Sequence, residues 1–164
     1  MNHPASLSLD RLLADCTIER TRRGGPGGQH RNKVETAVVI THQPTGVQAE
    51  ASERRSQAEN LTQAIHRLRI CLARAVRTTP GESTSPLWAA RVSGGRVAVN
   101  PEHDDAPVLL AEALDALAVC DWTPAIAGNF LRVSPSQLVK FLKQHDALPL
   151  LNENRRTLGL PPLR

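Results

Sequence analysis

A β-branched run that ends in a turn constrains the fold of this chain most strongly. Residues 35–42, ETAVVITH, are rich in Val, Ile and Thr, which favour strands, and QPTG after them has the Pro and Gly of a turn. Residues 47–51, VQAEA, then alternate apolar and polar side chains. The pattern predicts a hairpin. The alternating stretch CTIERTR, residues 16–22, predicts a third, half-buried strand.

An amphipathic helix is predicted directly after the hairpin. Ser56 suits the N-cap, Glu59 suits the capping-box partner, and the helical pattern runs to about Ala75. One apolar stripe is formed by Leu61, Ile65, Leu68 and Leu72. Four arginines are expected on or near the solvent side, namely Arg67, Arg69, Arg74 and Arg77. Because a small sheet needs a cover for its apolar face, we predict an α+β fold in which this long helix covers a small mixed or antiparallel sheet.

The second half of the chain reads differently. TTPGESTSP, residues 78–86, has the composition of a linker, and AARVSGGRVAVN after it suggests a hairpin that turns at residues 93–95. From Val108 the pattern is helical. We therefore predict three parts: an α+β domain at 1–79, a linker with a hairpin at 80–105, and a small, mainly helical unit at 106–164.

Residues 123–145, TPAIAGNFLRVSPSQLVKFLKQH, resemble a helix-turn-helix with Val133 in the turn and Ser134 as a cap. The side chains expected to face the core are Ala125, Ala127, Leu131, Leu138, Phe141 and Leu142. The exposed face of the second helix would carry Ser136, Gln137, Lys140 and Lys143. Lys140 and Lys143 are therefore candidates for a second nucleic-acid surface. The alternative is a tight helical pair in a small bundle, with no nucleic-acid ligand.

Positive charge is concentrated in the front half. The net charge is +4, with eleven cations and five anions between Thr17 and Arg77, and eight of each between Arg91 and Arg164. Such a localised excess attracts phosphate. The chain has no Tyr, two Phe and two Trp, and none of these rings lies in the basic half. This composition disfavours base stacking on aromatic platforms and favours recognition of nucleic-acid backbone and shape.

The cysteines and the hydropathy exclude several classes. Cys16, Cys71 and Cys120 lack the paired spacing of a zinc site or a redox dithiol, so we expect small buried thiols in a reducing cytosol and no metal or cofactor. No apolar run approaches the ~20 residues of a membrane span, and the N-terminus has no signal-peptide pattern. We expect a cytoplasmic protein with no membrane partner.

The stretch RRGGPGGQHRNK, residues 22–33, combines four glycines with four cations. Glycine lacks a Cβ, so repeated glycines permit another molecule to approach the backbone closely. A flexible hairpin loop is the simplest alternative. A Walker-type loop requires Gly-Lys-Ser or Gly-Lys-Thr, which is absent, and a dinucleotide fingerprint requires a helix where a strand is predicted here. Neither phosphate-binding loop fits.

Several separated elements together resemble the catalytic domain of class I peptide chain release factors and the related ribosome-rescue hydrolases. These elements are Arg22 before the loop, Gly27-Gly28-Gln29, Asn32-Lys33, the THQPTG turn, and Arg55-Ser56-Gln57 at the start of the helix. The resemblance covers roughly Cys16 to Ala75. Two positions depart from it, because Gly24 stands where many relatives have Ser and Arg31 stands where Val is usual.

The resemblance implies hydrolysis of the ester that joins a nascent peptide to tRNA. The loop would enter the peptidyl transferase centre of the large ribosomal subunit, and the backbone N–H of Gln29 would stabilise the negative charge of the transition state. Gly27 and Gly28 would allow a backbone conformation that a Cβ would block. The residues expected to contact RNA are Arg22, Arg23, Arg31, Lys33 and Arg55. No catalytic carboxylate is implied, because tRNA and ribosomal RNA groups complete the site.

The implied partners are the large ribosomal subunit, its 23S-type rRNA and peptidyl-tRNA, with a methyltransferase acting on Gln29 as in many relatives. Only fifteen residues precede the first predicted strand, so we expect no stop-codon reader before the loop and favour codon-independent ribosome rescue. Rescue hydrolases usually end in a basic disordered tail, whereas residues 133–164 carry five cations and many apolar residues. The alternative function is a non-catalytic nucleic-acid-binding protein, either a helix-turn-helix regulator or an RNA-binding assembly factor.

Overall fold

A computed structural model describes residues 3–21 and 37–164. After a 3₁₀ turn at Pro4–Ser6, the helices are α1 (Leu9–Ala14), α2 (Gln57–Ala75), α3 (Pro86–Arg91), α4 (Ala106–Val119), α5 (Pro124–Leu131), α6 (Pro135–Gln144) and α7 (Leu148–Thr157). The strands are β1 (Cys16–Thr21), β2 (Ala37–His42), β3 (Val47–Ala51), β4 (Val92–Ser93) and β5 (Arg96–Val97). The predicted α+β class and the small antiparallel sheet are confirmed.

The main sheet has the order β1-β2-β3, and both pairings are antiparallel. Val38 lies opposite Ala51, and Ile40 opposite Ala49, so alternate residues of β2 and β3 face the core. The turn between these strands ends at Gly46, whose φ of 68° favours glycine. The predicted hairpin and its QPTG turn are therefore confirmed.

Helix α2 covers the sheet by packing across β2 and β3. The Ser56 side chain accepts a hydrogen bond from the Glu59 N–H and caps the helix as predicted. Leu68 and Leu72 are fully buried, whereas Leu61 and Ile65 are partly buried at the margin of the core.

Strand β1 is more exposed than its sequence pattern predicts. Its four central residues are exposed, including Ile18 at 39%. The reason is that α2 packs on the other two strands and leaves β1 at the open edge of the sheet. Alternation therefore predicted the strand correctly but overstated its burial.

Three of the four arginines expected on or near the solvent side are partly buried and make contacts within the protein. Arg69 donates to the Ala5 carbonyl at 2.7 Å, and Arg74 donates to the His145 carbonyl at 2.5 Å. Arg77 lies 3.5 Å from a carboxylate oxygen of Asp115. These side chains join α2 to elements distant in the sequence, and only Arg67 is exposed as expected.

Helix α4 is buried on nearly every side and packs against α2 and α5. Its two carboxylates, Glu112 and Asp115, hold the segment predicted as a linker at both ends. Glu112 accepts hydrogen bonds from the N–H and hydroxyl of Ser85, and Asp115 accepts the same pair from Thr78. One hydrophobic core runs from the sheet through α2 to the helices after it. The division at 79 and 105 into separate units stays a prediction.

Between α2 and α4 lie helix α3, which the sequence analysis did not predict, and the short hairpin β4–β5. This hairpin turns at Gly94 and Gly95, both with positive φ, where the sequence placed the turn. The Trp88 indole N–H donates to the Leu131 carbonyl at 2.8 Å. The Trp88 ring meets Phe141 edge to face, with centroids 5.9 Å apart.

Helices α5 and α6 are joined by a tight turn in which Arg132 has a φ of 56°. The Ser134 side chain caps α6 by accepting from the Gln137 N–H, as predicted. The prediction that Ala125 faces the core is wrong, because Ala125 is exposed while its neighbour Pro124 is buried. The other predicted core residues of the pair are buried: Ala127, Leu131, Leu138, Phe141 and Leu142.

All three cysteines are free and partly buried, and burial raises the pKa of the Cys16 and Cys120 thiols. At the end of the described chain, Arg155 is buried and donates to the carbonyls of Trp122 and Pro161. No helix within residues 3–21 and 37–164 has both the length and the apolar character needed to span a membrane.

Candidate functional site

Most predicted catalytic and RNA-binding residues lie outside the described residues. They are Arg22, Arg23, Gly27, Gly28, Gln29, Arg31 and Lys33, and all belong to the segment 22–36. The structure instead defines the scaffold that presents this segment. The roles of these seven residues stay predictions.

Both ends of segment 22–36 are fixed by the sheet. Thr21, the last residue of β1, pairs directly with Ala37, the first residue of β2. Ala37 is buried, and the next residue, Val38, pairs with Ala51 of β3. The segment therefore leaves and returns at one end of a three-stranded sheet, which places both attachment points on rigid backbone.

The described RNA-binding candidate, Arg55, lies in the turn that joins this same end of the sheet to α2. The buried Asn60 side chain fixes the turn, because its amide donates to the Arg54 carbonyl and its oxygen accepts from the Arg54 N–H. Arg55 itself is exposed. Arg20 and Arg54 are also exposed near this end, and the sequence analysis did not propose either of them. Arg20 lies at this end of the sheet because of the register between β1 and β2, which the sequence alone does not give.

One carboxylate near this end is already paired. Glu53 accepts from the Arg67 guanidinium at 2.5 Å, and backbone N–H groups, led by that of Ser52, lower the pKa of Glu53. Arg67 also donates to the Glu50 carbonyl. The exposed cations Arg54 and Arg55 have no such carboxylate partner within residues 3–21 and 37–164. Positive charge therefore remains available beside the attachment points.

The two lysines proposed for a second surface, Lys140 and Lys143, are both exposed on α6. Together they border a depression next to α7 and the last residues, where Arg155 and Leu163 also lie. Lys140 has a second neighbourhood as well. Lys140 borders an open groove of about 470 Å³ between α6 and the β4–β5 hairpin, where Arg96 lies across from it. Lys143 does not border this groove, so Lys140 is the lysine that the two depressions share. The structure thus pairs Lys140 with Arg96, which the sequence analysis missed because the two residues are far apart in the chain.

The sheet, α2 and α3 lie in a part of the chain that matches a known protein family. Residues 9–91, just over half of the chain, match the RF-1 domain. The chain belongs to the RF-1 domain family. The RF-1 domain match begins at α1 and ends with α3, so segment 22–36 and Arg55 lie inside it. The hairpin β4–β5 and helices α4 to α7 lie beyond it.

Curated relatives match about half of the chain. One is the peptide chain release factor PrfB1, chloroplastic, of Arabidopsis thaliana, which is 42% identical over 86 residues, covering 48% of this chain and 19% of the relative. Another is peptide chain release factor 1 of Xylella fastidiosa, 39% identical over 82 residues, covering 50% of this chain and 23% of the relative. The chain therefore spans about a fifth of the length of these relatives.

Proposed function

We propose that this protein is a ribosome-dependent peptidyl-tRNA hydrolase of the release-factor type that acts without reading a stop codon. The observation that carries the proposal is the Gly27-Gly28-Gln29 motif inside residues that match the RF-1 domain. Two relatives named peptide chain release factors are 42% and 39% identical to this chain over 86 and 82 residues. The partners proposed are the large ribosomal subunit, its 23S-type rRNA and peptidyl-tRNA.

Ester hydrolysis in this proposal depends on a backbone donor. Water attacks the ester carbonyl, and negative charge gathers on the carbonyl oxygen as the tetrahedral intermediate forms. The intermediate then breaks the bond between the carbonyl carbon and the tRNA oxygen, and that oxygen takes up a proton from the attacking water. The products are the free peptide acid and a tRNA with a free hydroxyl group. The N–H of Gln29 donates to the carbonyl oxygen of the intermediate, and the Gln29 side chain positions the water or excludes larger nucleophiles. Gly27 and Gly28 supply the backbone freedom, while tRNA and rRNA groups complete the site. A methyltransferase is proposed to modify the Gln29 amide.

The scaffold supports this role. A loop that must enter an RNA-lined centre needs a rigid base, and the Thr21–Ala37 pairing provides one. The flanking cations Arg22, Arg23, Arg31 and Lys33 are proposed to meet rRNA phosphates. Arg55, exposed in a turn fixed by Asn60, is proposed to add a phosphate contact at the base.

Action without a codon reader is the finer part of the proposal. It is supported by what the chain carries after the RF-1 domain, which is a helical bundle packed on α2 through α4. Residues of α6 in this bundle border a basic groove next to the hydrolase domain, so this part is proposed to hold the protein on the ribosome by RNA contacts. We propose the cytoplasm as the place of action.

Peptide release from stalled ribosomes tests the catalytic proposal. The assay uses labelled peptidyl-tRNA on ribosomes that carry truncated mRNA, and the wild-type protein is expected to release the peptide. Gly28→Ala is expected to lower the release rate by ~100-fold or more, because the added Cβ misplaces the Gln29 N–H that stabilises the transition state. Gly24→Ser is the matched control in the same segment and is expected to keep most activity, since many relatives have Ser there. Release that is unchanged by Gly28→Ala would refute the mechanism.

The same assay tests whether peptide release is independent of the stop codon. It is repeated on intact non-stop mRNA, on mRNA with a stop codon in the A site and on isolated large subunits. Equal release with a stop codon and with a truncated message supports the proposal, whereas release only at a stop codon contradicts it.

A non-catalytic nucleic-acid-binding protein is the second candidate function, and the capped α5–α6 pair with two exposed lysines on α6 favours it. In that case Lys140→Ala and Lys143→Ala would lower binding to duplex DNA, and Gln29→Ala would change no measured property. Loss of release in Gln29→Ala would rule this candidate out as the whole function.

A further inference from the structure

We propose that the groove between the β4–β5 hairpin and helix α6 binds the phosphate backbone of a structured RNA. This inference rests on the proposed function, since it takes ribosomal RNA as the ligand. This hairpin groove is lined by six polar or charged residues and four apolar ones. The polar or charged residues are Arg91, Arg96, Asn100, Gln137, Lys140 and Gln144, and the apolar ones are Val97, Ala98, Val99 and Phe141. None of them belongs to the residues that match the RF-1 domain except Arg91, at its last position.

The two walls of the hairpin groove are held together. The Ser134 N–H, at the start of α6, donates to the Gly95 carbonyl at the tip of the hairpin with a length of 3.2 Å. Beneath them, the indole of Trp88 packs edge to face on Phe141 and donates to the Leu131 carbonyl. The hairpin is therefore fixed against α6, and the distance across the groove is set before any ligand binds.

The charge in the hairpin groove is positive and only partly compensated. Arg91 forms an ion pair with Asp105, which reduces its contribution. Arg96 and Lys140 are exposed and have no carboxylate partner within residues 3–21 and 37–164. No acidic side chain is found among the described residues that border the groove. An anionic ligand would thus meet two free cations from opposite walls.

The remaining polar groups suit a chain of phosphates and sugars. Gln137 and Gln144 lie on the same side of α6 as Lys140 and carry amide groups that can donate to phosphate or ribose oxygens. Phe141 contributes the floor but is only 1% exposed, so it offers no ring for a base to stack on. The groove is open along one side and mostly polar, which differs from the enclosed apolar pockets that hold small molecules.

These features favour an RNA helix or stem over single-stranded RNA. Recognition of single strands relies on exposed aromatic rings, which are absent from the described lining of this groove. Recognition of double-stranded RNA relies on phosphate and 2′-hydroxyl contacts, which the cations and amides can supply. Binding should therefore depend on salt and depend little on sequence.

The test uses the full chain and a fluorescent 20-base-pair RNA stem-loop of arbitrary sequence. Arg96→Glu/Lys140→Glu is expected to weaken binding at least tenfold and to reduce the slope of log K against log salt by about 2, because one phosphate contact is worth about one unit of slope. The control is Arg11→Glu/Arg156→Glu, which changes the net charge equally at two exposed positions outside the groove. The control is expected to weaken binding less than threefold.

Three results would overturn the proposal. They are unchanged binding in the groove variant, equal loss in the control variant, or binding to duplex DNA of the same sequence as tight as to RNA. Because charge reversal can disturb folding, circular dichroism and thermal unfolding accompany each variant, and Arg96→Ala/Lys140→Ala replaces any variant that unfolds. The neutral pair is then expected to lower both the affinity and the salt slope.

Peptide release separates this inference from the proposed function. Gln29→Ala is expected to bind the stem-loop as the wild type does while it loses release. The groove variant is expected to raise the protein concentration needed for half-maximal release without lowering the rate at saturation. If the wild type releases peptide but the groove variant binds and releases as the wild type does, the inference is wrong and the proposed function stands. If the wild type binds the stem-loop through the groove but releases no peptide, the proposed function is wrong and the binding site stands.

Discussion

Among the glycines that the structure describes, Gly128 is the one at which an added methyl group meets the backbone most closely. An ideal Cβ at Gly128 would lie 2.6 Å from the Val133 carbonyl oxygen, on the backbone of the turn between α5 and α6. That oxygen cannot rotate away as a flexible side chain would. The Gly128 carbonyl also accepts a hydrogen bond from the Val133 N–H at 3.0 Å, so the two residues are tied together.

Gly128→Ala is therefore expected to lower the free energy of unfolding by ~1–3 kcal/mol, as overpacking does, although alanine alone favours a helix over glycine by up to ~1 kcal/mol. Urea unfolding followed by circular dichroism measures the change. The control is Gly81→Ala, where the added Cβ would lie 3.6 Å from its nearest neighbour. A stabilised Gly128→Ala protein would show that the turn can move apart easily.

The carboxylates of α4 matter at the scale of the element. The Asp115 side chain is fully buried, accepts two hydrogen bonds from Thr78 and lies 3.5 Å from Arg77. One turn earlier, the Glu112 carboxylate accepts two hydrogen bonds from Ser85. A helix that is otherwise apolar thus fixes both ends of the segment that separates α2 from α3.

Asp115→Asn is expected to destabilise the protein by ~2–4 kcal/mol, because the neutral amide weakens two hydrogen bonds and leaves the partly buried Arg77 without its counter-ion. The midpoint of thermal or urea unfolding reports the loss. Asp121→Asn makes the same chemical change at an exposed position just beyond α4 and should alter stability by less than about 0.5 kcal/mol. Similar losses in both variants would mean that burial of Asp115 has no special importance.

Elements with a clear period could be predicted from the sequence, and short ones could not. The hairpin and α2 were predicted because alternation at residues 47–51 and the stripe around Leu68 repeat often enough to be read. Helices α1 and α3 have six residues each, under two turns, and show no period. The contact of Arg74 with the His145 carbonyl could not be predicted, because a helical pattern does not show which distant element packs against each side of the helix.

At the scale of the whole molecule, two buried histidines join distant parts of the chain. His145, after α6, stacks on Phe141 with ring centroids 4.4 Å apart, and neither of its ring nitrogens has a hydrogen-bond partner within residues 3–21 and 37–164. Burial first, then the nearby charge of Arg74 and His66, lowers the pKa of His145 against the opposing effect of Asp146. Burial likewise lowers the pKa of His3, which contacts the Val76 carbonyl, with Asp115 opposing and Arg77 assisting the shift.

A folded-state pKa below the unfolded value of about 6.5 means that the unfolded chain binds protons more readily. Stability is therefore complete above about pH 6.5 and is lost as the pH falls towards the lower folded pKa values. We expect the free energy of unfolding to drop by ~1–2 kcal/mol between pH 7 and pH 5.5. Urea unfolding at both pH values measures this drop.

His145→Leu should make the dependence on pH clearly smaller, since it removes one of the two imidazoles whose pKa burial lowers. His103→Gln, which removes an exposed imidazole, is the control. An equal pH dependence in His145→Leu and the wild type would assign the effect to other groups.

The family of the candidate site could be predicted from the sequence, whereas the roles of its residues stay predictions. Gly27, Gly28 and Gln29 were proposed from an ordered motif, and the match to the RF-1 domain agrees with the family. The pairing of Arg96 with Lys140 could not be predicted, because only the folding of the β4–β5 hairpin onto α6 brings the two side chains to one groove.

The three free cysteines take no part in any proposed site, and their thiols can serve as probes of local opening. Cys16 lies in β1, Cys71 in α2 and Cys120 at the end of α4, so one thiol reports on each layer. The thiolate is the form of cysteine that attacks a thiol reagent, and partial burial raises the pKa of Cys16 and Cys120 and so disfavours that form. The labelling rate of each cysteine thus reports on opening of its own layer, and the proposed binding to a ribosome is expected to slow the labelling of all three.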